Sequence, residues 1–148
     1  MYKIEIKELE INESNLSQAF PVVSQLRPHL SLEEYIKLSN LMKPQGYQIF
    51  CLYKNEKITA YAGVALQTNL YYGKHIWVYE LVTDKSERSK GFGKMLLSYI
   101  EAYAKECSAQ CVALSSGLEK LGAHSFYENI MDYDKVSYVF KKLIPSGI

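Results

Sequence analysis

The chain of 148 residues carries 17 Lys and Arg against 16 Asp and Glu, a formal net charge of +1 with both signs interspersed. That near-balance excludes a protein built mainly to coat nucleic acid or an anionic membrane, and no apolar run reaches the roughly 18 residues of a membrane span. A chain of this length can bury about two-thirds of its unfolded surface, so a single domain over residues 1–148 is expected without metal or disulfide support. The three cysteines, Cys51, Cys107 and Cys111, sit in apolar or periodic surroundings with no secretory pattern before them, and read as buried free thiols of a soluble, cytoplasmic protein. Cys107 and Cys111 lack a second Cys or His pair to complete a tetrahedral site, so no metal is expected. Thirteen tyrosines are many for this length, and some should line a cavity or groove in addition to filling core.

Taken in order, Tyr2 to Ile11 alternates apolar and charged residues and predicts a half-buried strand near a sheet edge. Asn15 to Leu26 predicts a short or broken helix, because Pro21 falls inside it. Ser31-Leu32-Glu33-Glu34 is a capping box opening a helix that runs to about Met42, before Pro44 and Gly46. Tyr47 to Tyr53 and Ile58 to Leu66 form an antiparallel hairpin around the polar turn Lys54 to Lys57, and Gln67 to Lys74 is an aromatic connection.

Ile76 to Thr83 is an apolar, β-branched and aromatic strand interrupted by one carboxylate, Glu80. After it, Arg88-Ser89-Lys90-Gly91-Phe92-Gly93-Lys94 brings two glycines and three cations to the start of an amphipathic helix whose apolar positions run from Phe92 to Cys107. Unpaired amides and aligned peptide dipoles make such a helix start electropositive, and glycine lets the backbone come close to a phosphate. Gln110 to Ser115 is a buried strand, parallel to Ile76–Thr83 because a long crossover joins them. A short helix over about Lys120 to Asn129 and a last strand, Lys135 to Leu143, complete the order β, α, α, β, β, β, α, β, α, β. This is an α/β layout around one mixed, mostly antiparallel sheet flanked by helices.

Arg88-x-x-Gly91-x-Gly93 after Glu80-Leu81-Val82-Thr83-Asp84, with Ala123-His124-Ser125-Phe126-Tyr127 downstream, resembles the GNAT superfamily of N-acetyltransferases. The resemblance covers roughly Tyr47 to Leu143. It implies acetyl-CoA as cosubstrate, an amine as acceptor and a splayed pair of parallel strands that admits the pantetheine arm. The pantetheine contacts would fall on the backbones of Leu81, Val82 and Thr83. The diphosphate would lie on the amides from about Ser89 to Lys94, with Arg88, Lys90 and Lys94 supplying charge and Gly91, Phe92 and Gly93 the turn. The same resemblance makes Tyr127 the general acid for the departing thiolate and allows a homodimer, although no sequence feature marks one.

Acetyl transfer needs a neutral amine, a polarised carbonyl and a proton for the thiolate. Glu80, in an apolar strand, would have a raised pKa and could serve as base or substrate anchor; alternatively it lies on a solvated face or pairs with a lysine. His124 is read as holding backbone or packing. Asn129 and Asp132 are the residues able to supply a left-handed turn after Tyr127. The leading expectation is an acetyl-CoA-dependent N-acetyltransferase acting on a primary amine of a small molecule or peptide. The alternative is a non-catalytic acyl-CoA binding or sensing domain. Neither an acidic nor a basic cluster in Arg27–Met42 or Gln67–Lys74 specifies the acceptor.

Overall fold

The strand patterns become one five-stranded sheet, in the spatial order β1 (Ile4–Leu9), β2 (Tyr47–Lys54), β3 (Lys57–Asn69), β4 (Gly73–Thr83) and β5 (Cys111–Leu114). β1 to β4 pair antiparallel, and β5 runs parallel to β4 after the crossover through α3 (Phe92–Glu106). A computed structural model describes residues 2–146, which divide into two compact units between Leu114 and Ser115. The sheet belongs to the first unit. Among the described residues no helix is long and apolar enough to cross a membrane.

β3 is buried from Ile58 to Ala65 without alternation because helices cover both of its faces. On one face α1 (Glu13–Leu26) and α2 (Leu32–Met42) place Leu16, Ala19, Val22, Val23 and Tyr35 against Tyr47, Ile49, Cys51 and Tyr61. On the other, Phe50 stacks obliquely on Tyr99 and Tyr103 of α3. Each fully buried aliphatic side chain contributes roughly 2 kcal/mol of transfer free energy, and Leu16, Ile49, Leu52, Ile76, Leu96, Leu97 and Ile100 are all completely enclosed.

Local chemistry sets the boundaries. The capping box closes in both directions, Glu34 N–H donating to Ser31 Oγ at 3.1 Å and Ser31 N–H to Glu34 Oε1 at 3.0 Å. Asn55 and Glu56 both take positive φ, which gives the tight β2–β3 turn the twist a hairpin needs. The β3–β4 connection is shorter than the residue pattern predicts. The ladder runs on to Asn69↔Gly73, and the Asn69 side chain accepts from the amides of Tyr71 and Tyr72.

Two other elements differ from expectation. α1 is one continuous helix of 14 residues although Pro21 lies inside it. Pro21 is on the exposed side, so the hydrogen bond it forfeits faces water, while Leu16, Ala19, Val22 and Val23 hold the inner stripe in the core. In the second unit, Lys135 to Leu143 forms no strand; Tyr138, Phe140 and Leu143 are exposed. Alternation creates a strand only where a neighbouring edge takes up its backbone groups. The rest of that unit is α4 (Leu121–Ser125), continued by a wider π-turn over Phe126–Ile130.

Because the Pro21 ring is exposed, Pro21→Ala can restore the missing helix bond without disturbing the core. The variant is expected to gain about 1–2 kcal/mol of stability, net of the unfolded-state entropy that proline removes. Urea unfolding measures this, and an unchanged or lowered midpoint contradicts it.

Candidate active site

A β-bulge organises the centre of the sheet. Gly63 pairs with Glu80 and Val64 with Val78, so Tyr79 is an extra residue on β4. The bulge frees a main-chain carbonyl, and Arg27, which caps α1, donates to Tyr79 O from Nη2 at 2.9 Å. It also turns Glu80 toward the α1–α2 face, where the carboxylate accepts from Tyr47 Oη at 2.5 Å. Behind Tyr47 stand two more buried phenols: Tyr47 Oη lies 2.9 Å from Tyr61 Oη, and Tyr61 Oη 2.8 Å from Tyr35 Oη. Gly63 makes room for this meeting. A Cβ built there would lie 2.0 Å from Glu80 Oε1 and 2.2 Å from Tyr47 Oη.

Burial pushes the Glu80 carboxyl up to about 7, against the opposing pull of the Tyr47 hydrogen bond and the Arg27 charge. Of the two readings open from the sequence, a solvated or lysine-paired Glu80 is therefore not what the fold builds. Burial likewise raises the phenols of Tyr35, Tyr47 and Tyr61, which stay protonated donors at neutral pH. It pushes the Cys51 thiol up to about 12, which leaves that cysteine a core residue and not a nucleophile.

Beyond Glu80, β4 continues through Leu81, Val82 and Thr83, paired with β3 on one side. The β4–β5 pairing stops at Val78↔Leu114, so this stretch has no strand on its other side among the described residues. A turn follows in which Asp84 accepts from the Ser86 amide at 3.1 Å. Ser89 and Gly91 then take φ of 65° and 84° to swing the chain into α3. Gly91 occupies the N-cap and no side chain caps that end. A Cβ on Gly91 would meet nothing within 4 Å, so the space before the first turn of α3 is open.

The expected phosphate-loop residues divide by role. Arg88 Nε donates to Thr83 O at 3.2 Å, and Lys90 and Lys54 both pair with Glu87 Oε1, at 2.6 and 2.9 Å. Lys94 is exposed on the first turn of α3. The Phe92 ring is buried in the core, edge-on to Tyr2, so only its main chain is available to a ligand. Tyr127 belongs to the second unit, on the π-turn, where its ring neighbours are Phe126 and Tyr133 and burial raises its phenol above the ordinary range. His124 Nε2 is 2.8 Å from Gly117 O, a backbone-holding role. Asp132, with φ of 59°, supplies the left-handed turn after Tyr127.

The family model for the acetyltransferase (GNAT) family matches residues 9–133. YhdJ of Bacillus subtilis strain 168, an uncharacterized N-acetyltransferase, is 37% identical over 140 residues, 94% of this chain and 98% of its own. The chain belongs to the GNAT acetyltransferase family. Its activity is that of an N-acetyltransferase. Among solved structures, the aminoglycoside N-acetyltransferase AAC(6')-Iy in complex with CoA gives a TM-score of 0.84 at 11% identity, covering 99% of this chain and 97% of its own. A GNAT family acetyltransferase from Staphylococcus aureus subsp. aureus USA300_TCH1516 gives 0.76 at 19% identity, covering 95% and 98%. At such identities the likeness establishes the GNAT fold.

Arg27, Tyr35, Tyr47, Tyr61 and Gly63 were not singled out as site residues by the sequence pattern. The one signal was the excess of tyrosine, and composition does not say which phenols turn inward.

Because the folded protein holds the Glu80 proton more tightly than the unfolded chain, that contribution to stability is complete below pH 4.5 and is lost as pH rises to about 7. Glu80→Gln keeps an acceptor for Tyr47 without the charge. It is expected to gain on the wild type across that window, by up to about 3 kcal/mol at pH 8. Urea unfolding at acidic and alkaline pH checks this; a difference that does not change with pH contradicts it.

Proposed function

We propose that this GNAT enzyme transfers the acetyl group of acetyl-CoA to a primary amine of a small molecule or peptide, by direct attack of the amine on the thioester. The observation that carries the reading is a partly buried carboxyl pushed up to about 7, Glu80, next to the stretch of β4 that among the described residues has a strand on one side only and leads into the open N-terminus of α3. The amides of Ser89 to Lys94 hold the diphosphate, with Arg88, Lys90 and Lys94 around it; this fits a cap glycine with open space before it. The main chain of Leu81, Val82 and Thr83 holds the pantetheine arm, and an amide there polarises the acetyl carbonyl.

In the reaction the amine nitrogen forms the new C–N bond and its proton passes to Glu80, directly or through water. The C–S bond breaks, and Tyr127 gives its phenolic proton to the leaving sulfur. Solvent then takes the proton from Glu80 and returns one to Tyr127. A carboxyl that ionises near 7 is matched to this task, since a base works best when its pKa lies near the working pH.

Isothermal titration with acetyl-CoA tests the binding half. Affinity on the order of micromolar is expected in the wild type. It should be lost in Gly91→Glu, whose side chain enters the anion site from a backbone of φ 84°. With an acceptor found by screening amines, Glu80→Gln and Tyr127→Phe are each expected to lower kcat by about 100-fold or more. Failure of the wild type to bind acetyl-CoA contradicts the proposal. Binding with no turnover on any amine would replace it with a sensing role.

A further inference from the structure

Three phenols on three different elements, Tyr35 of α2, Tyr61 of β3 and Tyr47 of β2, meet hydroxyl to hydroxyl and end on Glu80 of β4. All three residues are at most 5% exposed. Phenylalanine would fill nearly the same volume without the cost of taking three hydroxyls out of water. The direction of the chain follows from its end. An ionised carboxylate only accepts, so Tyr47 donates to Glu80, Tyr61 to Tyr47 and Tyr35 to Tyr61. Among the described residues the Tyr35 hydroxyl has no second hydrogen-bond partner. Reversing the chain would leave a buried O–H at Tyr35 with nothing to accept it, which costs more than an ordinary hydrogen bond gains. Nor does the chain lead to water, since Tyr35 packs against Phe20 and Tyr61 in the core.

We infer that Tyr47, Tyr61 and Tyr35 are positioning residues, a one-way chain of donors that holds the Glu80 carboxylate in place and sets the pH above which it can act as a base. Each donor polarises the next, so the hydroxyl of Tyr47 is a stronger donor with Tyr61 and Tyr35 behind it than alone. Among the other groups facing this cluster, Tyr79 of β4 packs edge-on to Tyr47 with its own hydroxyl taken by Gln67 Nε2 at 2.7 Å. Arg27, at the end of α1, acts on Glu80 through its charge, and Cys51 of β2 lies near Tyr35 with its thiol protonated. Tyr47 and Arg27 both oppose the effect of burial on Glu80, which is the sign the chain requires.

The inference rests on the proposed role of Glu80 as base, and the test separates the two. The full chain, labelled with carboxyl-13C glutamate, is titrated by NMR, with the Glu80 signal assigned by its disappearance in Glu80→Gln. The same titration is run on Tyr47→Phe, Tyr61→Phe and Tyr35→Phe, beside the pH dependence of kcat/KM. The Glu80 midpoint is expected to rise by about one pH unit in Tyr47→Phe and by successively smaller steps in Tyr61→Phe and Tyr35→Phe. The acid limb of kcat/KM should move with it. If Tyr61→Phe and Tyr35→Phe lower the melting temperature but leave the midpoint where it was, the chain is structural and the inference is wrong. If the midpoint rises while the acid limb stays fixed, the chain stands and Glu80 is not the base. Should Tyr61→Phe fail to fold, Tyr35→Phe reads the same chain from its far end.

Discussion

A carboxylate inside an apolar layer is costly unless hydrogen bonds meet it, and the arrangement of this sheet follows from meeting Glu80. The bulge at Tyr79 turns the residue inward, the missing side chain of Gly63 clears the space, and Tyr47 supplies the donor. Arg27 binds the carbonyl that the bulge exposes and adds a positive charge at the same point. Removing Tyr47 or Arg27 would leave a partly buried acid with fewer partners. The residues around Glu80 thus serve a group that stability alone would not favour, which is common where a site is built for chemistry.

The same strand serves two functions along its length. Up to Val78 it is an interior strand with partners on both sides; past Val78 it keeps β3 alone among the described residues. The chain then passes through an Asp84-capped turn and two residues with positive φ into α3, whose first amides have no side-chain cap. In the proposed function, ligand binding falls mainly to main-chain groups, whose positions are fixed by the sheet and the helix. The basic side chains around the turn are partly occupied already, Lys90 and Lys54 by Glu87 and Arg88 by the Thr83 carbonyl.

Features encoded within a few residues were readable from the sequence. The Ser31–Glu34 box, the strand–glycine turn–helix run from Ile76 to Cys107 and the parallel placement of β5 all depend on near neighbours or on a crossover length. Features that depend on distant partners were not. Pro21 is harmless because its side of α1 is wet, a fact that only the packed helix reveals. Lys135–Leu143 reads as a strand by its residues, yet forms none among the described residues. The apolar run around Glu80 gives no hint that Tyr79 is an extra residue. The tyrosine chain joins positions 35, 47, 61 and 80, each on its own element, so only the fold brings them together.

The most direct measurement of the account is a crystal structure with CoA bound, because it tests whether the open side of β4 and the Glu80 cluster form one site. The diphosphate is expected on the amides of Ser89 to Lys94, the pantetheine along Leu81 to Thr83, and the sulfur at the Glu80 end of that strand. A diphosphate bound elsewhere, or a thiol directed away from Glu80, would contradict it.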